Sequence, residues 1–392
     1  MKYSKAFFDE PFERHGTACE KWDGLEERMG KAMNPMWVAD MDFRGPEEIT
    51  EALVKRAAHP AYGYTGQTEA ATKAMLDFMQ RRHNVTLTAD EQILMPCVVT
   101  GLRAAVLALT KPGDSIIIQP PVYGPFYFSI KDNERKTAEC WLKRDENGYY
   151  TMDLDAVEEA CKAGAKLMLL CNPHNPVGRA WKKEEMAALI ALLKRYDVTL
   201  LSDEIHEDFV FEKGAFTPVL SLVEDTDAKV IALTSASKTF NLAGLQQAVA
   251  FCRNPELLAL IKKTMHDVGV VQGNIFGLIA TEAAYAYGDE WLDGMLAYIS
   301  EGAQILRKEL ADKLPKAVMS PLEATYLAWV DLRAYGFTCD ELLERCREAG
   351  VEFTPGTFFG AEAGQGFMRV NLACQHDRVR LAVEQLAKAI LA

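Results

Sequence analysis

Lys238 follows an apolar run, Val230-Ile-Ala-Leu233, and a turn of small residues, Thr234-Ser-Ala-Ser237. The run, with β-branched Val230 and Ile231, reads as a buried strand, and small hydroxylated residues favour turns. The lysine therefore falls just past a strand's carboxyl end, the edge where open α/β sheets hold ligands. Two other strand-like runs end in polar residues. Lys166–Cys171 leads into Asn172-Pro-His-Asn175-Pro-Val-Gly178, and Val198–Ser202 into Asp203-Glu-Ile-His206. Parallel strands end together, so Asn175, Asp203 and Lys238 share one edge. Taken singly, Lys238 is a solvated cation, Asn175-Pro176 a turn, and Asp203 a helix cap. With Glu204, His206, Glu207 and Asp208, Asp203 also reads as part of a metal site.

Together the three residues match a site for pyridoxal phosphate. An amine nucleophile in a dry, cationic pocket has a lowered pKa and forms a Schiff base. An amino acid held that way loses a substituent at its α-carbon only if the ring accepts the electrons. That requires a protonated ring nitrogen, which a buried carboxylate favours; Asp203 is the candidate. Asn175 is positioned to donate to the ring's phenolic oxygen, and Tyr123, in Pro120-Pro-Val-Tyr123, to lie on the ring face. The phosphate needs free amides at a helix start, here those of Val98 and Val99, and hydroxyls, here Ser235 and Ser237. No Gly-x-x-x-x-Gly-Lys-Ser/Thr stretch and no strand-borne Gly-x-Gly-x-x-Gly occurs, which disfavours nucleotides.

The elements that position these residues alternate. Strands at Gln92–Met95, Ser115–Gln119, Lys166–Cys171, Val198–Ser202, Val230–Leu233 and Gln247–Cys252 are separated by helical patterns such as Leu102–Leu109 and Lys183–Arg195. This predicts a mostly parallel α/β sheet covered on both faces. Residues 1–48 are irregular, 49–288 form the large ligand-binding domain, and 289–392 form a smaller α+β domain with strands at Thr325–Leu332 and Phe367–Leu372. At 392 residues two domains are expected. The net charge of −13 argues against nucleic acid or an anionic membrane as partner. Met1–Glu10 has no apolar stretch long enough for a signal peptide, and no apolar run is long enough to span a bilayer. Nine cysteines without a Cys-x-x-Cys pair read as reduced thiols in a cytoplasmic enzyme with no bound metal.

The set Asn-Pro-x-Asn-Pro-x-Gly, Asp-Glu-x-His, Ser-x-Ser-Lys and Phe367-Met-Arg369-Val-Asn371 resembles fold-type I pyridoxal phosphate enzymes of the aspartate aminotransferase superfamily. The segments Ala39-Asp-Met-Asp-Phe43, Tyr62-Gly-Tyr64, Ser237-Lys-Thr-Phe-Asn241 and Thr325-Tyr-Leu-Ala-Trp329 are similar to the MalY/PatB-type cystathionine β-lyases. The resemblance implies a seven-stranded large-domain sheet and a homodimer with a shared active site, in which Tyr64 reaches the phosphate of the partner's cofactor. It also implies that Arg369 holds the substrate carboxylate. Two positions depart from the aminotransferase pattern: His206 replaces a tyrosine and Gln246 an arginine. His206 either touches the cofactor's phenolic oxygen or packs. The implied reaction is β-elimination from a cysteine thioether such as cystathionine, giving a thiol, pyruvate and ammonia. Lys238 would act as general base, with Tyr123 or Tyr64 assisting proton movement. The rivals are an aminotransferase using the same residues, a non-catalytic binding protein on the same fold, and a metal-dependent hydrolase around Asp203–Asp208.

Overall fold

A computed structural model describes residues 2–224, 226–271 and 273–392. The main sheet has seven strands: β1 (Gln92–Met95), β2 (Ser115–Ile118), β3 (Lys136–Glu139), β4 (Leu167–Cys171), β5 (Thr199–Asp203), β6 (Val230–Thr234) and β7 (Ala248–Phe251). Their spatial order is β1-β7-β6-β5-β4-β2-β3. β7 runs antiparallel to both its neighbours, while β6, β5, β4, β2 and β3 pair in parallel.

The alternation of side chains along each strand explains why the central runs are apolar throughout. Leu167, Leu169, Leu201, Ile231 and Leu233 pack on one face with Leu102, Ala105 and Val106 of the helix Val98–Leu109. Met168, Leu170, Leu200 and Ala232 pack on the other with Leu189 and Leu193 of the helix Lys183–Arg195. With both faces covered, these strands have no solvated side.

A second, four-stranded antiparallel sheet is built from β8 (Val318–Met319), β9 (Leu327–Asp331), β10 (Thr354–Pro355) and β11 (Phe367–Asn371), in the order β8-β9-β11-β10. The amino-terminal segment joins this part of the chain. Asn34 and Pro35 pair in parallel with Val351 and Glu352. Phe8 and Phe43 pack on Trp291 and Tyr298 of the long helix Asp289–Lys313. Among the described residues, no helix is long and apolar enough to cross a membrane.

Three local expectations differ from the structure. β3, with the sequence Lys-Thr-Ala-Glu, is an edge strand whose polar pattern carries no hydrophobic signal. The helix whose pattern is regular from Leu102 begins at Val98, so Val98 and Val99 lie in its first turn, where the anion-site reading put their amides. Within Ile205–Phe211, a stretch that alternates like a strand, residues 205–208 form a turn one residue after Asp203.

Candidate active site

Asp203 is the last residue of β5, level with Cys171 on β4 and Leu233 on β6. Two of the three strand ends foreseen in the sequence are thus in register beside the third. The Asp203 side chain is buried, and its Oδ1 accepts from the Ile205 N–H at 3.2 Å. Burial raises its carboxyl to about 7, opposed by the Ile205 hydrogen bond and the nearby Lys238 charge.

Lys238 sits on a single helical turn, Ala236–Thr239, begun by Ser235, whose hydroxyl accepts from the Ser237 N–H. Its Nζ donates to the Ala39 carbonyl at 2.8 Å. Burial, and then the Arg369 charge, lower its ammonium to about 8, while Asp40 and Asp203 pull the other way. A group at that value carries a far larger neutral fraction near physiological pH than an ordinary lysine, which an amine nucleophile or base requires.

Arg369 projects from β11 and joins the two sheets at the site. It donates to Asn175 Oδ1 at 3.2 Å, to the Trp37 carbonyl at 2.7 Å and to Thr354 Oγ1 at 3.1 Å. It lies over the Phe359 ring, 4.9 Å from the centroid. Its Nε is buried with no protein acceptor, and burial lowers the guanidinium to about 10. Such a cation is set to receive a carboxylate.

Residues 37–42 cross the front of the site as a strap held by its backbone. Asn371 Nδ2 donates to the carbonyls of Val38 (2.6 Å) and Asp40 (2.8 Å), and Thr354 Oγ1 to that of Trp37 (2.8 Å). Asn241 exchanges hydrogen bonds with the Met41 backbone, and Asp40 pairs with Arg14 at 3.0 Å. The sequence singled out Asp40 and Asp42 without a role and gave none to Thr354 or Asn371. Main-chain carbonyls acting as acceptors leave no trace in side-chain types.

These groups surround a cavity of about 430 Å³. Val98, Val99, Tyr123, Asn175, Asp203, His206, Ser237, Lys238 and Arg369 all line it. Burial, with Asp203 close by, pushes the Tyr123 phenol up to about 12, so it is protonated at working pH. His206 is buried with its Nδ1 unpartnered, and burial beside two cations lowers its pKa to about 3. It is a neutral imidazole. Two predicted residues stand apart. Ser235 does not line the cavity; its hydroxyl is spent on the Gln247 carbonyl at 2.6 Å and on the Ser237 amide. Tyr64 is almost fully exposed and borders a neighbouring cavity with Tyr62 and Gln246. Gln246 lines both cavities, so they adjoin.

The donor set fits pyridoxal phosphate. The twelve-residue helix Val98–Leu109 has no side-chain cap at its start, so its first amides are free for an anion. An amine of lowered pKa and a buried carboxyl face the same cavity, as the aldehyde and the ring nitrogen require.

Further acids lie behind the site. His83 pairs with Asp208 at 2.8 Å, and Thr239, next to Lys238, donates to the same carboxylate at 2.6 Å. Glu207 accepts from Thr234. The group His83, Glu207 and Asp208 takes its histidine from the helix Glu69–His83 and shares Glu207 and Asp208, but not Asp203, Glu204 or His206, with the Asp203–Asp208 run weighed in the sequence. Glu204 accepts from Asn172, Ser202 and the Val219 N–H on one oxygen, at 3.0–3.2 Å, and burial raises its pKa from 4.5 to about 8. An unfolded chain releases this proton near pH 4.5, whereas the folded chain keeps it to about 8. Stability therefore falls as pH rises through that window. Glu204→Gln keeps the acceptor oxygen and removes the titration. The variant should show a flatter dependence of Tm on pH between 5 and 8 than the parent, measured by thermal unfolding.

Residues 38–386 match the family model for aminotransferase class I and II. Cystathionine beta-lyase PatB of Bacillus subtilis is 39% identical over 386 residues, spanning 98% of this chain and 99% of its own. Protein MalY of Escherichia coli is 29% identical over 98% of this chain and 99% of its own. Cystalysin from Treponema denticola, whose crystal structure contains pyridoxal 5'-phosphate, superposes with a TM-score of 0.94 at 34% identity, covering 98% of each chain. The pyridoxal phosphate-bound C-S lyase of Staphylococcus hominis gives 0.89 at 32% identity, again over 98% of each chain.

Proposed function

From a chain that belongs to the class I and II aminotransferase family, and to its MalY/PatB type, we propose a pyridoxal phosphate-dependent carbon–sulfur β-lyase. It cleaves cystathionine or related cysteine S-conjugates to a thiol, pyruvate and ammonia. The observation that carries the reading is one cavity holding an amine lowered to about 8, a buried carboxyl and a buried arginine with a free N–H.

Bound there, pyridoxal phosphate supplies an electron sink for the substrate's α-carbon. The chain's residues do the rest. The amides of Val98 and Val99, with Ser237, would hold the phosphate, and Asp203 would stabilise the protonated ring nitrogen. Asn175, His206 and Tyr123, which line the same cavity, would hold the ring, Tyr123 by stacking and Asn175 by donating to its phenolic oxygen. Arg369 takes the substrate carboxylate through its free Nε–H, which fixes the α-carbon relative to Lys238. Lys238 Nζ, once released, removes the α-proton, and its hydrogen bond to the Ala39 carbonyl gives it a resting orientation. The phenols of Tyr123 and Tyr64 are the available carriers for the proton that the departing sulfur needs. The strap excludes water from this side of the reaction.

The exposure of Tyr64 beside the adjoining cavity supports a homodimer in which it completes the partner's phosphate site. We divide the chain into an amino-terminal segment (1–48), a cofactor domain (49–288) and a small domain (289–392), and we place it in the cytoplasm.

The deciding assay is pyruvate and free thiol from cystathionine and from S-alkyl-L-cysteines, with no keto acid added. Amino transfer to a keto acid without thiol would replace this reading with an aminotransferase. Arg369→Lys retains a cation but not the planar fork. It should lower kcat/KM by about 10²-fold, the scale of one lost charge-assisted hydrogen bond in a dry site, and mainly through KM, as read by steady-state kinetics.

A further inference from the structure

Lys238 rides on one helical turn of four residues, Ala236–Thr239. A turn that short has almost no stability of its own, so its orientation depends on what holds it at each end. At the start, the Ser235 hydroxyl donates to the Gln247 carbonyl at 2.6 Å. Beyond the end, Phe240 packs with Phe78, Tyr285 and Trp291, but apolar packing is non-directional. The directional tie at that end is Thr239 Oγ1, which donates to Asp208 Oδ2 at 2.6 Å. Asp208 Oδ1 in turn lies 2.8 Å from His83 Nε2. Resting on the lyase reading for the role of the amine, we propose that Thr239, Asp208 and His83 are positioning residues. Their hydrogen bonds aim Lys238 from behind and tie it to the strand end that carries Asp203.

Asp208 and Glu207 both belong to the turn that follows Asp203. Thr234, the last residue of β6, donates to Glu207 as Thr239 does to Asp208. The turn after β5 is thus stitched to the chain on both sides of Lys238, which fixes the acid and the amine relative to each other. Two buried carboxylates need a counter-charge, and among the described residues His83 is the only basic side chain paired with either. It ends the helix Glu69–His83, where the dipole favours a cation. Burial works against its charge, but Glu207 and Asp208 outweigh burial and the nearby Arg82, leaving its pKa above the ordinary value. Tyr285, which also faces the two acids, is kept protonated by burial. His83 therefore stays a donor and holds Asp208 where Thr239 meets it. Thr239, Asp208 and His83 lie outside the lining of the cavity, so they act on the amine and not on the substrate.

The test is Thr239→Val, which keeps the shape and removes the hydroxyl, beside Thr239→Ser, which returns it. In the holoenzyme, Thr239→Val should lower kcat for pyruvate and thiol formation about tenfold or more with KM nearly unchanged. Uptake of pyridoxal phosphate by its apoprotein, followed by absorbance, should slow to a similar extent. Thr239→Ser should restore most of both. A lower melting temperature in Thr239→Val with parental kcat and uptake would show a merely structural hydroxyl and overturn the proposal, as would equal losses in the two variants. If Thr239→Val does not fold, His83→Ala, which leaves Asp208 without its partner, carries the same expectation, and parental kcat and uptake there would overturn it. A parent that yields no pyruvate from any thioether would instead remove the lyase reading, while uptake by the apoproteins still tests the positioning.

Discussion

Lys238→Ala should abolish thiol and pyruvate formation, with kcat falling at least ~10⁴-fold. In the proposed mechanism one amine serves as the covalent anchor and then as the base, and a positioned general base alone contributes up to ~10⁴. The loss should be confined to chemistry. Asp203, Asn175, Arg369 and the amides of Val98 and Val99 all line the cavity independently of the lysine side chain. The variant should therefore still take up pyridoxal phosphate, visible by absorbance, but release it on dialysis, because no covalent bond retains it. Removing a buried amine that burial has already lowered to about 8 should not reduce the melting temperature. Undiminished turnover by this variant would end the catalytic assignment of residue 238.

Asp203→Asn should cost 10²–10³-fold in kcat while leaving the fold intact. Asparagine keeps the shape and an oxygen to accept from the Ile205 N–H, so a purely structural residue would tolerate the change. What it loses is the ability to stabilise a proton on a facing nitrogen. A carboxyl raised to about 7 by burial is held in a medium where a cation opposite it gains strongly. Each pKa unit the carboxylate adds to that nitrogen is worth about 1.4 kcal/mol, so two units account for the lower bound. The measurement is kcat together with the absorption spectrum of the bound cofactor. Wild-type turnover in this variant would show that Asp203 only packs.

Both residues were visible in the sequence because a buried parallel strand is a run of apolar side chains that stops abruptly. Leu200, Leu201 and Ser202 before Asp203, and Val230 to Leu233 before the Ser-Ala-Ser turn, mark the sheet edge plainly. Arg369 was harder to place, since nothing local in Phe-Met-Arg-Val-Asn states what its guanidinium meets. That contact comes from Trp37 and Thr354, 332 and 15 residues away in the chain. The Ser235 hydroxyl looked equivalent to that of Ser237, but capping a one-turn helix consumed it. β3 escaped because an edge strand need not be apolar. The pairing of His83 with Asp208 escaped because it joins a helix end to a turn 125 residues later. Types and local period are legible; partners across long sequence separations are not.

The strap at residues 37–42 has a consequence for how the protein matures. It is made early, yet its carbonyls find donors in Thr354, Arg369 and Asn371, more than three hundred residues further along the chain. Until those emerge, the Trp37 and Val38 carbonyls lack their side-chain donors and the strap is tied at residues 40–42 by Arg14, Lys21 and Asn241, however well the seven-stranded sheet has already condensed. Competence to capture the vitamin thus waits for that distant segment, which shields a half-made chain from premature chemistry.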